Sequence, residues 1–93
     1  MWGRPMDADT SMCAYVRAVM APLVDEPSMF DVELRHDDDG VTVVLRTHTD
    51  ATYRQLLGKG GRTAEALRHL VRSWSGAQRA GLRVCAVRIV LPT

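Results

Sequence analysis

The sequence has no long apolar run and little cysteine, and each shortage excludes a class of protein. No stretch approaches the ~20 apolar residues that a transmembrane helix needs, and the first ten residues lack the apolar segment of a secretory signal. The two cysteines, Cys13 and Cys85, lie far apart without ligand-type neighbours, so neither a disulfide framework nor a zinc site is predicted. We therefore expect a small cytoplasmic domain without membrane contacts.

The chain length and composition predict one folded domain. Its 93 residues suffice for one hydrophobic core and are too few for two. With 46% apolar and 25% charged residues, the composition is that of a folded domain rather than of a disordered chain. Residues 1–10 carry no periodic pattern, so we predict a flexible leader there and a single domain over 11–93.

Charge is divided unequally along the chain. Residues 1–50 hold four arginines and ten acidic residues, a net charge of −6, whereas residues 51–93 hold eight basic residues and one acid, a net charge of +7. Eleven of the twelve basic residues are arginine, which suits bidentate phosphate contact, although genomic base composition produces the same bias. We expect a polarised surface with an anionic partner on its basic side.

Three segments have the apolar spacing of amphipathic helices. The first spans about 11–21 and ends near Pro22, because proline disrupts the helical hydrogen bonds. A short helix is predicted at 51–57 and a longer one at 62–75, with a run of glycines between them. The long helix is expected to bury one stripe of residues: Ala64, Leu67, Leu70, Val71 and Trp74.

Alternation of apolar and polar residues predicts three strands. The first two, at about 30–35 and 41–49, flank an Asp-Gly turn and should form an antiparallel hairpin. The third, at 82–91, is rich in valine and isoleucine. Its predicted core face consists of Cys85, Val87, Ile89 and Leu91. The whole order predicts an α+β sandwich with three helices on one face of a three-stranded sheet, αββααβ.

The segment Gly58-Lys59-Gly60-Gly61 has the chemistry of a phosphate-binding loop. Glycines let another backbone approach closely, and the free amides that begin the next helix favour an anion. Lys59, Arg62 and Arg54 add positive charge. The P-loop and dinucleotide fingerprints are both excluded, the first by the position of Lys59 and the second by Thr63 where glycine is needed. A helix cap with a tight turn remains the structural alternative.

The segment Leu56 to Arg68, which reads LLGKGGRTAEALR, resembles the helix–GxxG–helix segment of a KH domain. In such domains the loop clamps about four nucleotides of a single strand. The helix and strand ahead of it make the chain similar to a type II KH domain. The segment Pro22 to Pro27, followed by the valine-rich hairpin, resembles the small bacterial single-KH RNA-binding proteins of the KhpA type, over about residues 11–91.

The resemblance implies that the domain binds single-stranded RNA through this loop. Gly58 and Gly61 correspond to the glycines that define the motif, and Lys59 and Gly60 to the variable pair that meets the phosphates. The groove is expected between the two core helices and the edge of the second strand. The other residues that resemblance or position places at the site are Arg54, Arg62, Leu56, Leu57, Ala64, Arg46 and His48.

The resemblance also implies a biological role and partners. It implies an RNA chaperone or post-transcriptional regulator that forms homodimers and partners a larger protein with a KH domain of its own. No catalytic residue, cofactor motif or metal ligand is predicted, so we expect no enzyme activity. An assembly module with vestigial RNA binding remains the alternative. For Arg62, Arg68 and Arg72, a solvated helix face explains the charge as well as RNA contact does.

Overall fold

The computed structural model describes residues 7–78 and 82–91, and these form two layers. The helices α1, α2 and α3 pack on one face of a sheet of strands β1, β2 and β3. In chain order the elements are α1 (Ala8–Met20), β1 (Phe30–Asp37), β2 (Gly40–Thr47), α2 (Asp50–Leu57), α3 (Arg62–Gln78) and β3 (Val84–Val90). The predicted αββααβ fold class is confirmed. Within the described ranges, no helix is long and apolar enough to cross a membrane.

Helix α1 begins inside the segment that the sequence predicts as a leader. Asp7 is its N-cap, because the Asp7 carboxylate accepts a hydrogen bond from the Thr10 amide at 2.7 Å. This bond holds the pKa of Asp7 below its ordinary value. The prediction of a leader over residues 1–10 is therefore wrong for residues 8–10, and residues 1–6 lie outside the described part of the chain.

Strand β2 is the central strand of the sheet. It pairs with β1 in an antiparallel hairpin and with β3 in a parallel ladder. The hairpin turn is closed by Asp37, whose Oδ1 accepts hydrogen bonds from the amides of Asp39 at 2.9 Å and Gly40 at 3.1 Å. The carboxylate of Asp37 thus stabilises the hairpin turn.

A single core lies between the helices and the sheet. Leu67 and Val71 of α3 are buried, and Trp74 is half-buried and stacks on Tyr15 of α1 with ring centroids 5.3 Å apart. Leu70, predicted in the same stripe, is 44% exposed, because at about 100° per residue it lies at the edge of the helix face centred on Val71. The fully buried large side chains include Met12, Val16, Met20, Phe30, Leu45, Leu56 and Leu67.

A bulge in β3 changes its predicted core face. The β2–β3 register passes from Val41↔Val84 to Thr42↔Ala86, which leaves Cys85 as an extra residue. Val84 is therefore buried in place of Cys85, while Val87 and Ile89 pack on the core as predicted. Leu91 follows the end of the strand and is 55% exposed, so its assignment to the core is wrong.

Candidate nucleic-acid interface

A tight glycine loop joins α2 to α3. Gly58 ends α2 with φ of +75°, and its amide donates to the Arg54 carbonyl at 3.0 Å. The Gly61 amide then donates to the Gly58 carbonyl at 3.2 Å, and the Arg62 amide donates to the Lys59 carbonyl as α3 begins. These bonds fix the loop geometry at the N-terminus of α3, where the remaining free amides and the helix dipole favour an anion.

The glycines of the loop have two different structural roles. A Cβ atom on Gly58 would lie 2.1 Å from Oγ1 of Thr63 and 2.9 Å from the Thr63 amide nitrogen, so only glycine fits between the two helices. Gly60 and Gly61 have φ of +65° and +75°, but a Cβ on either would meet no atom within 4 Å. The backbone of this pair therefore borders open space that a ligand backbone can enter.

Thr63 is a site residue that the sequence analysis did not identify. There it served only to exclude a dinucleotide fingerprint, whereas in the structure it forms the contact surface on which Gly58 packs. The sequence contains only an indirect sign of this contact. A glycine that ends one helix just before another begins is explained equally well by a helix cap and by a ligand-binding loop.

Three exposed cations surround the loop. Lys59 and Arg62 belong to it, and Arg54 lies one turn earlier on α2. Within the described part of the chain, none of the three side chains takes part in an ion pair or hydrogen bond. Their charges are thus available to an anionic ligand, with only the cost of ordering the side chains.

The other two basic residues of α3 are committed to the protein itself. Arg68 bonds to Glu65, which lowers the pKa of Glu65 and raises that of Arg68. Arg72 donates to the backbone carbonyls of Val84 at 2.9 Å and Cys85 at 3.3 Å. Neither side chain is free to contact RNA. Of the three arginines for which the sequence leaves RNA contact open, only Arg62 therefore remains available.

The three residues predicted for the apolar floor of the groove differ in their exposure. Leu57 and Ala64 are half-buried on either side of the loop, where each leaves part of its surface accessible. Leu56 is fully buried and belongs to the core. A ligand can therefore reach Leu57 and Ala64 but not Leu56.

The groove wall predicted from Arg46 and His48 is wrong. The prediction puts the groove at the edge of the second strand, but β2 is central and pairs with β1 on one side and β3 on the other. Arg46 lies on the helix-free face of the sheet and bonds to Glu33 at 2.8 Å. His48 lies just past β2, with its Nε2 2.8 Å from Oδ2 of Asp31. Neither residue joins the glycine loop.

Strand β3 provides the edge that flanks α2 and α3. Two side chains of α3 bond to carbonyls at or just before its start: Arg72 donates to those of Val84 and Cys85, and Ser75 Oγ donates to that of Leu82 at 2.7 Å. Within the described residues, the other side of β3 has no strand paired to it. Both α2 and α3 contact this edge strand.

A glycine loop between two helices, bordered by free cations and set in an αββααβ sandwich, defines a type II KH domain, a class of nucleic-acid-binding module. The family model "KhpA/KhpB, KH domain" matches residues 14–87, which is most of the chain. The chain belongs to this family. A comparison with curated proteins gives no match. Family membership confirms the predicted KH fold and KhpA-type family, and with them nucleic-acid binding in general.

Proposed function

We propose that this domain binds single-stranded RNA without catalysing a reaction. The carrying observation is the open space in front of the Gly60 and Gly61 backbone, at the start of α3 and beside Lys59 and Arg62, whose side chains have no ion-pair partner among residues 7–78 and 82–91. Phosphate oxygens fit such a place because they accept hydrogen bonds from backbone amides and carry the charge that the helix dipole favours.

In the proposed mechanism, different residues attract the RNA backbone and contact the bases. Lys59, Arg62 and Arg54 attract the RNA backbone in a salt-dependent manner. Bases of the bound strand extend over Leu57 and Ala64 towards β3, where apolar surface and strand-edge groups can contact them. Because one domain reads few bases, its sequence preference is weak.

The family supports a wider proposal about biological role. A domain that holds the RNA backbone with little base preference suits an RNA chaperone or a post-transcriptional regulator in the cytoplasm. Membership of the KhpA/KhpB family also supports partnership with a larger KH-containing protein. Self-association into a homodimer is a further part of the proposal. Co-purification of the chain with RNA and with such a protein, before and after nuclease treatment, tests whether the protein contact depends on RNA.

The RNA-binding proposal is tested by placing negative charge in the loop. The variant Lys59→Asp/Gly60→Asp faces the phosphates with carboxylates, and Cβ at position 60 has room. The matched control Lys59→Gln/Gly60→Asn has similar shape without negative charge, and asparagine tolerates a left-handed φ. Fluorescence anisotropy of a labelled single-stranded RNA at two salt concentrations gives the affinity, and circular dichroism checks the fold.

Wild type is expected to bind with strong salt dependence. The aspartate variant should lose most of the affinity and bind no RNA at the higher salt concentration, whereas the neutral variant should be only moderately weaker. Equal binding by wild type and the aspartate variant would place the site elsewhere. If the folded wild type binds no RNA and self-associates regardless of salt, the domain is an assembly module.

A further inference from the structure

The helix-free face of the sheet carries a second concentration of arginine. A concavity of about 380 Å³ lies there, and each strand contributes one arginine to its lining: Arg35 from β1, Arg46 from β2 and Arg88 from β3. Thr42 and Val44 of the central strand form its floor. We call these five residues the arginine face.

Strand register brings the arginine face together. Arg35 pairs with Thr42 across the β1–β2 ladder, and Val44 pairs with Arg88 across the β2–β3 ladder. Alternation along β2 places Thr42, Val44 and Arg46 on the side opposite the core. Val44 is only 2% exposed although none of the helices in the described ranges packs on this side. Long arginine stems therefore shield it, with their charged ends towards solvent.

The charges of the arginine face are incompletely balanced. Arg46 donates from Nε to Oε1 of Glu33 at 2.8 Å, and its Nη2 lies at the same distance from that oxygen. Nη2 of Arg35 lies 3.6 Å from Oε1 of Glu33. One carboxylate thus orients two guanidinium groups. Arg88 is exposed and has no acidic partner among the residues that the structure describes. Asp37 also lines the concavity, but its Oδ1 already accepts the two turn amides. Three cations therefore face two carboxylates.

We propose that the arginine face binds a backbone phosphate of RNA, as a second contact on the opposite side of the sheet from the glycine loop. The identity of the ligand rests on the proposed RNA binding. The guanidinium group of Arg88 offers a free fork of donors, which matches phosphate oxygens. The hydroxyl of Thr42 adds a donor on the floor of the concavity.

A protein ligand fits this surface less well than RNA does. Protein interfaces gain most of their affinity from buried aromatic or large apolar anchors. Among the described residues, no aromatic side chain lines the concavity, its apolar lining consists of Val44 and Val90, and Val44 is already shielded. Phosphate contacts on both sides of the sheet allow one domain to hold two RNA segments, which suits a protein that brings strands together.

The experiment is carried out in the Lys59→Asp/Gly60→Asp background, so that binding at the loop does not hide the second contact. Three further single substitutions are compared by anisotropy with the same labelled RNA over a salt series. Arg88→Gln removes the free guanidinium, and Glu33→Gln removes the carboxylate that neutralises Arg35 and Arg46. Arg68→Gln, on α3 and bonded to Glu65, is the charge-matched control.

The loop variant is expected to retain weak binding at low salt. Arg88→Gln should weaken this residual binding several-fold and reduce the slope of log K against log salt by about 0.7, the value for one single-strand phosphate. Glu33→Gln should strengthen it, a gain that a merely structural role for Glu33 cannot produce. Arg68→Gln should leave it unchanged.

Two results would overturn the proposal. One is residual binding that is absent or indifferent to both Arg88→Gln and Glu33→Gln, in which case the loop alone binds RNA. The other is competition by polyglutamate as effective as competition by unlabelled RNA of equal charge, since the face would then accept acidic protein segments equally. If the loop variant instead binds as wild type does and Arg88→Gln abolishes binding, the arginine face stands and the proposed loop function fails.

Discussion

Gly58 packs directly against Thr63, so that a Cβ atom on Gly58 would lie 2.1 Å from Oγ1 of Thr63. This contact sets the approach of α2 to α3 and thereby the shape of the loop between them. Gly60, two residues later, has no such neighbour. The loop thus combines one glycine required by packing with others whose surroundings are open to a ligand.

Replacing Gly58 with alanine should destabilise the fold strongly. The new methyl group would overlap Thr63, and the fold would force alanine into an unfavourable φ of +75°. Together these effects should lower the free energy of unfolding by about 3 kcal/mol. Gly60→Ala, which has only the unfavourable φ, should cost about 1 kcal/mol. Urea denaturation of the two variants measures the difference, and equal losses would show that the Gly58–Thr63 contact is not restrictive.

Replacing Arg72 with glutamine should loosen the edge strand. The guanidinium of Arg72 donates to two carbonyls at the start of β3, those of Val84 and Cys85, and so ties this end of the strand to α3. We expect a loss of about 1 kcal/mol in the free energy of unfolding, since the bonds are partly exposed to solvent. Hydrogen exchange at Val84 and Ala86 should accelerate. Arg68→Gln is the control, and the same acceleration in that variant would contradict the assignment.

Replacing Asp7 with alanine should destabilise the start of α1 by an amount that depends on pH. The pKa of Asp7 is lowered in the fold by its bond to the Thr10 amide. The cap therefore stabilises fully above the ordinary pKa of 3.8 and is lost as pH falls through the lower folded value. The difference in melting temperature between wild type and Asp7→Ala should vanish in acid. Asp7→Asn should keep a cap whose contribution does not change in acid. If wild type and Asp7→Ala still differ in melting temperature in acid, the Asp7 carboxylate does not stabilise the helix in this way.

Replacing His48 with alanine should leave RNA binding through the loop unchanged. The sequence resemblance assigned His48 to the groove, but the structure places it beyond the central strand, paired with Asp31. Anisotropy at moderate salt, where the loop dominates, should give the wild-type affinity. Lys59→Gln in parallel should weaken binding. A loss of RNA affinity in His48→Ala as large as that in Lys59→Gln would show that His48 contacts RNA, as the sequence resemblance predicts.

The parts of the fold that sequence predicts well are those that depend on local spacing. The helices, the hairpin with its Asp-Gly turn, and the glycine loop all arise from patterns within a few residues. The position of β3 does not, because chain order alone leaves open which hairpin strand it joins. Arg46 and His48 were misassigned for this reason, and the bulge at Cys85 depends on the same long-range pairing.

The sequence predicts the glycine loop but not the different roles of its glycines. The spacing of Gly58 and Gly61 indicates a KH motif, and the neighbouring cations indicate an anionic ligand. The distinction between Gly58 and Gly60 requires the position of Thr63, which belongs to the next helix. Likewise, the difference between free Arg62 and committed Arg72 depends on the β3 carbonyls, which lie far along the chain.

The central claim is that RNA phosphates contact the loop backbone, and titration of ¹⁵N-labelled protein with single-stranded RNA tests it most directly. The amide signals of Lys59, Gly60, Gly61 and Arg62 are expected to shift together and saturably, and to return when salt is raised. The same titration of Lys59→Asp/Gly60→Asp should leave the remaining loop signals in place. Binding by wild type without any shift at Gly60 or Gly61 would contradict the account.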